Sequence, residues 1–220
     1  MRLDQAIAAR FPHISRRQAR ELIAERRVLV NERLVAIASR EVRDDDRIAV
    51  VEEQPQLDII KVTDDFVAVN KPAGMPTQPT RDRKLRSLEE LLRMQFKSIY
   101  LVHRLDTGTS GVVVFARSSN AAARLSRLFS SREMERIYLA RLEPPLRERV
   151  AIDTPIEGKD AHTEAEPRGD VARVRIETGR THQIRIHMES IGHRVVMLHA
   201  WKLAHQAIGT IEAPPPDDLV

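Results

Sequence analysis

The sequence predicts an α+β protein in two parts, a large, mainly antiparallel-sheet domain preceded by a small helix–strand domain. Three observations lead there. Short apolar runs bounded by turn residues recur from Ile59 onward with few helical stretches between them, the pattern of many strands and interspersed helices. Charge is segregated: Arg10 to Arg40 holds eight Arg (10, 16, 17, 20, 26, 27, 33, 40) against three Glu (21, 25, 32), whereas residues 41–53 carry six acids against Arg43 and Arg47. Between the two parts, residues 53–56 are polar and broken by Pro55, as a linker is. The expected division is therefore 1–52, a linker at 53–56, and 57–220.

The elements follow in order. Ser15-Arg16-Arg17-Gln18 fits a capping box, and Ala19, Leu22 and Ile23 then recur at helical spacing. Arg16, Arg17 and Arg20 open that helix, where backbone donors and the helix dipole favour phosphate. Val28-Leu29-Val30 reads as a strand, Asn31-Glu32 as a turn, and Ile48 to Val51 as a further strand after the Asp44-Asp45-Asp46 turn. In the second part the strand candidates are Ile59–Val62, Phe66–Val69, Ile99–Val102, Val112–Ala116, Ile137–Leu142, Val171–Ile176 and Val195–Leu203. Helices are expected after the capping box Ser87-Leu88-Glu89-Glu90, over Ala121 to Phe129, and over Thr181 to Ser190, ended by Gly192.

Composition narrows the function classes. A net charge of +4 and a pI near 9.7 permit an anionic partner. Aromatic residues are only 4% of the chain, which argues against a surface that stacks many bases and for phosphate contact through Arg. With no Cys, disulfides, thiolate metal sites and Cys nucleophiles are excluded. No apolar run reaches the ~18 residues of a membrane span, and Met1-Arg2-Leu3-Asp4 lacks the apolar core of a signal peptide, so a cytoplasmic protein with no membrane partner is expected. His182, His187, His193, His199 and His205 do not pair at the i, i+4 spacing of a helical zinc site, so no metal is expected.

The segment from His103 to Gly111 lies between two apolar strand candidates and is polar, rich in Gly, Ser and Thr, with one carboxylate, Asp106. A loop held by buried strands is a rigid mount for a reactive group, and the His103-Arg104 pair places Asp106 in a positive field. An Asp that merely caps a tight turn is the bland alternative.

His103-Arg104-Leu105-Asp106-x-x-Thr109-Ser110-Gly111 resembles the catalytic motif of the RluA-type pseudouridine synthases. Four further segments are similar to that family's in the same order: Val69 to Met75, Arg136-Ile137-Tyr138-Leu139-Ala140, Thr178 to Met188, and Leu198-His199-Ala200-Trp201 with Ala213 to Pro216. The resemblance covers about 57–220. It implies an RNA uridine isomerase in which Asp106 is the catalytic carboxylate, Arg185 its ion-pair partner (Arg180 the alternative), and Tyr138 the group that packs on the base. It further implies that Arg104 fills the gap left by the extruded uridine. His103, Lys71 and Arg180 are candidate RNA contacts, Lys71 through phosphate. Residues 1–52 look like the alpha-L RNA-binding motif of a small-subunit ribosomal protein, which makes Arg16, Arg17 and Arg20 RNA contacts as well. Isomerising uridine involves no redox change and no net hydrolysis, so no cofactor is needed. The expected partner is structured RNA, ribosomal in preference to transfer RNA, bound by a monomer.

This chain departs from the family pattern twice. Arg136 stands where Lys is commoner, and between Gly192-His193 and Leu198-His199 only Arg194-Val195-Val196-Met197 remains of a usually longer segment. Two other readings stay open at this point. Asp106-Thr107-Gly108-Thr109-Ser110 resembles the turn of an aspartic protease, which would require a homodimer because no second Asp-Thr-Gly occurs. A non-catalytic RNA-binding protein is the other.

Overall fold

A computed structural model describes residues 1–51, 56–81 and 85–219. Most of the expected linker, 53–55, therefore lies outside the described residues.

The N-terminal unit packs helices α1 (Leu3–Arg10) and α2 (Arg16–Ala24) on a three-stranded antiparallel sheet of order β2-β1-β3, made of β1 (Val28–Val30), β2 (Arg33–Leu34) and β3 (Ile48–Val50). The expected capping box at Ser15 and Gln18 forms. Asn31 and Glu32 both take positive φ, the conformation of a two-residue hairpin turn, and join β1 to β2. Leu3, Ile7, Ala19, Ile23, Val28 and Val30 form its core. Arg26 meets the rest of the molecule at Glu90.

The larger unit is a ten-stranded sheet with helices on its faces. Its elements are β4 (Asp58–Val62), β5 (Phe66–Lys71), α3 (Leu88–Gln95), β6 (Tyr100–Leu101), β7 (Ser110–Ala116), α4 (Ser119–Ser130), β8 (Glu135–Glu143), β9 (Val150–Ile152), β10 (Thr163–Arg168), β11 (Val171–Ile176), α5 (Gln183–Ser190), β12 (Arg194–His205) and β13 (Gly209–Glu212). The strand order is β4-β5-β7-β12-β8-β11-β10-β9, with β6 on β7 and β13 on β12. Every pairing is antiparallel except β7 with β12, which is parallel and aligns Ser110 with His199 and Gly111 with Ala200. The expected α+β class with a mainly antiparallel sheet is therefore found.

That parallel seam is unusually close. Gly111 has φ +111°, and a Cβ there would lie 2.2 Å from the Ala200 carbonyl oxygen, so only glycine fits. Beside it, Ser110 Oγ donates to His199 Nδ1 (2.9 Å) and His199 Nε2 donates to the Ala213 carbonyl (3.1 Å). Burial holds His199 below the ordinary histidine pKa, although the Ala213 bond opposes this. The start of β7, and with it the segment from His103 to Thr109, is thereby fixed to the centre of the sheet.

Candidate active site

The Asp106 loop is pinned at several points. Thr77 Oγ1 donates to the Leu105 carbonyl (2.7 Å) and accepts from the Leu105 N–H (3.1 Å). Gly74 N–H donates to the Thr107 carbonyl (2.8 Å), and Thr109 N–H closes the turn on the Asp106 carbonyl (3.0 Å). Lys71 is 0% exposed and its Nζ donates to the carbonyls of Met75 (2.7 Å), Pro72 (2.9 Å) and Thr107 (3.3 Å). Burial lowers the Lys71 pKa to about 8, and the Asp106 charge opposes the shift.

The second wall is the start of α5. Gln183 is buried and fully used: its Oε1 accepts from Thr178 Oγ1 (2.8 Å) and Arg180 N–H (3.0 Å), while its Nε2 donates to the His162 carbonyl (2.9 Å) and Thr163 Oγ1 (3.0 Å). One turn on, His187 is 0% exposed between Thr163 Oγ1 and the Thr154 carbonyl, both at 2.9 Å. This network aims His182, the N-cap residue in left-handed conformation (φ 55°), at Asp106: Nδ1 donates to Oδ2 at 2.8 Å. The Asp106 side chain is 25% exposed, open to a ligand.

The floor is β8. Arg136 and Tyr138, two residues apart, share one strand face and line the same cavity of about 510 Å³ as Asp106, a volume suited to a small ligand. Burial pushes the Tyr138 phenol up; Arg136 opposes this and the Asp106 charge adds to it. His103 stacks on Phe129 (centroids 4.1 Å apart, 20° between planes), and its Nε2 accepts the Val114 N–H at 2.9 Å. Burial, with the Arg136 charge adding to it, takes its pKa to about 3, so this imidazole is neutral. Arg104 is exposed at the cavity mouth, and Arg180 sits beside it with Nε on the Asp160 carbonyl (2.8 Å).

A pinned carboxylate, a phenol and a buried cation around one cavity, beside an Arg-bearing helical unit, can be compared with known proteins. The sequence profile of the RNA pseudouridylate synthase family matches residues 65–190, and that of the S4 domain matches residues 1–48. The chain belongs to the RNA pseudouridylate synthase family. It is 33% identical over 230 residues to the ribosomal large subunit pseudouridine synthase D of Escherichia coli O157:H7, covering 89% of this chain and 71% of that protein. An uncharacterized RNA pseudouridine synthase of Aquifex aeolicus is 31% identical, covering 89% and 75%. Among solved structures, the human RNA pseudouridylate synthase domain containing 1 superposes with TM-score 0.58 at 27% identity, covering 75% of this chain and 85% of that one. The enzyme is thus an isomerase that converts uridine in RNA to pseudouridine, with an S4 domain at its N-terminal side. The protease reading falls with the family match, which covers residues 65–190 and includes the Asp106 segment.

Within this synthase, Asp106, Tyr138, Arg185, Arg104, His103 and Arg180 come together at one cavity, as the sequence grouped them. Three details differ from expectation. Among the described residues Asp106 pairs with His182 and not with Arg185, whose Nη1 donates to the Val195 carbonyl at 2.8 Å. α5 turns into β12 after residues 191–193, and the Val195 carbonyl lies within hydrogen-bond reach of Arg185. Lys71 is no phosphate contact, because its ammonium is enclosed by three backbone carbonyls. His103 is no cation beside Asp106; it braces β7. In the N-terminal unit, Arg17 is solvated beside Glu21 (3.1 Å), but Arg16 and Arg20 each donate Nε to Asp4 Oδ2, at 3.0 and 2.9 Å, and Arg2 donates to Oδ1 at 3.1 Å.

Proposed function

We propose that this synthase acts on uridines of structured RNA, ribosomal RNA in preference to transfer RNA, with Asp106 as the catalytic carboxylate and with the target base flipped out of its helix into the cavity above Tyr138. The observation that carries the reading is the setting of Asp106: on a loop pinned from three sides, partly open to the cavity, and oriented by His182 at 2.8 Å. An immobile carboxylate at the cavity mouth and a phenol below it suit a base that enters from outside the stack. Arg104, at the mouth, is placed to fill the gap that base leaves. Arg185 ties α5 to the start of β12 through the Val195 carbonyl and, lining the cavity, is positioned to reach the nucleotide backbone.

The division of labour is 1–52 as the RNA-holding module, 53–56 as linker and 57–220 as the catalytic part, acting as a monomer in the cytoplasm. Ribosomal RNA is favoured by the similarity to a ribosomal large subunit synthase and by the S4 domain. The test is tritium release from 5-tritiated uridine in ribosomal and transfer RNA transcripts, with wild type and Asp106→Asn. Wild type should release tritium, faster from ribosomal RNA. The variant should release none while binding RNA with unchanged affinity. Full activity in the variant would remove Asp106 from the chemistry, and faster release from transfer RNA would reverse the substrate preference.

A further inference from the structure

We propose that Arg136 is a uracil-reading group, a buried cation that holds a carbonyl oxygen of the target base; this rests on the isomerase reading above. Arg136 is only 7% exposed and lines the cavity. Its Nη2 donates to the Glu177 carbonyl (2.5 Å), its Nε is buried without a partner, and among the described residues no carboxylate pairs with it. A guanidinium has donors only and keeps its charge, so burying it incompletely satisfied is costly unless a ligand completes it. The surrounding structure makes room for it. A Cβ on Gly179 would lie 2.9 Å from Arg136 Nη1, so a side chain in the Thr178-Gly179-Arg180 turn would crowd the guanidinium.

Position decides which acceptor it meets. Arg104 and Arg132 are exposed at the mouth, where phosphates are reached without desolvation, whereas Arg136 lies on the floor beside Tyr138. Pseudouridine formation turns the base about its N3–C6 axis, which exchanges N1 with C5 and the 2-carbonyl with the 4-carbonyl. A fixed donor therefore faces a carbonyl oxygen before and after the turn. Cytosine would present an amine in one of the two positions, opposing donor to donor. The cation also suits the intermediate stage. Breaking N1–C1′ leaves the bonding pair on the base, spread over N1 and both carbonyl oxygens; forming C5–C1′ returns that pair, and one proton then moves from C5 to N1. The planar fork of Arg supplies several fixed donors, one of which Glu177 holds, where the commoner Lys would supply one centre.

The experiment titrates isotope-labelled protein with uridine 5′-monophosphate, its 2-thio and 4-thio analogues, and ribose 5-phosphate, following the Arg136 Nε–H resonance and the Kd. Uridine monophosphate should shift that resonance, and Arg136→Met should weaken its binding about tenfold. One thio analogue should lose a similar factor on wild type and nothing on Arg136→Met. Arg136→Lys, which keeps the charge, should retain part of the affinity, and unchanged resonances elsewhere report the fold. Equal binding of all three nucleotides by wild type would overturn the proposal. So would ribose 5-phosphate showing the full dependence on Arg136, which would assign the cation to phosphate. Because the readout is binding, a wild type that releases no tritium would count against the isomerase reading separately.

Discussion

Replacing Asp4 by Asn leaves the shape of the side chain and removes its charge, which isolates what that carboxylate does for the N-terminal unit. Asp4 is 0% exposed, yet what covers it is three guanidinium groups, those of Arg2, Arg16 and Arg20, themselves 44–54% exposed. Burial alone would raise its pKa; the hydrogen bonds from Arg20, Arg16 and Arg2 overturn that and hold the carboxyl well below the usual range. Charge-assisted bonds are worth about 1.5–3 kcal/mol when desolvated, but these donors are half in water, so about 1 kcal/mol each is the appropriate figure. The variant should therefore lose about 2–3 kcal/mol from the N-terminal unit. The sign of the pH dependence follows from the lowered pKa. The stabilisation is complete above the unfolded carboxyl value near 4 and is lost as pH falls from there toward the native value. Native-state hydrogen exchange of α1 and α2 amides, at pH 7 and again below 4, reads this unit apart from the larger one. At pH 7 the variant should exchange faster, and toward low pH the wild type should converge on it. Equal protection at pH 7 would refute the account of Asp4 as the anchor.

Lys71→Met should leave circular dichroism unchanged and slow single-turnover isomerisation about 100-fold, because releasing the Thr107 carbonyl lets the Asp106 turn shift by a fraction of an ångström or more. His182→Ala should slow the same step more than Arg185→Ala does, since it is His182 that touches Asp106; the reverse order would restore Arg185 as its partner. Gly111→Ala places a methyl group 2.2 Å from the Ala200 carbonyl and should yield little folded protein, a wild-type melting temperature being the contrary outcome.

Most elements were legible because their apolar periodicity is strong. Val112 to Ala116 became the fully buried centre of β7, and Val171–Ile176 is β11 to the residue. The strands β2, β9, β10 and β13 carry no such signal. β10 spells Thr-Glu-Ala-Glu-Pro-Arg, with one apolar side chain between two Glu and a Pro, and pairing with β9 and β11 is what makes it a strand. At the site, motif order brought Asp106, Tyr138 and Arg185 to one cavity, but a partner choice depends on distances of an ångström. His182 sits in the same quoted segment as Arg185, and no one-dimensional pattern separates them. The signal that separates them is conformational: His182 is a non-glycine residue with positive φ at a helix N-cap, turned toward the loop. The Lys71 setting is hidden for a similar reason, because Pro72 and Gly74 signal a loop without saying that the loop closes over the ammonium.

The parallel seam between β7 and β12 also bears on how the cavity is assembled. β7 carries the Asp106 loop at its start, β8 carries Arg136 and Tyr138, and the two are not neighbours: β12 lies between them. Neither pairing that creates the cavity can form until β12, more than fifty residues beyond β8 in the chain, has inserted. Contacts of such long sequence separation are slow to close. The N-terminal unit, by contrast, is built from contacts within about fifty residues and folds without waiting for that insertion. A folding chain should therefore pass through a stage with a formed basic surface and no catalytic cavity. Refolding measured by RNA binding should run ahead of refolding measured by tritium release.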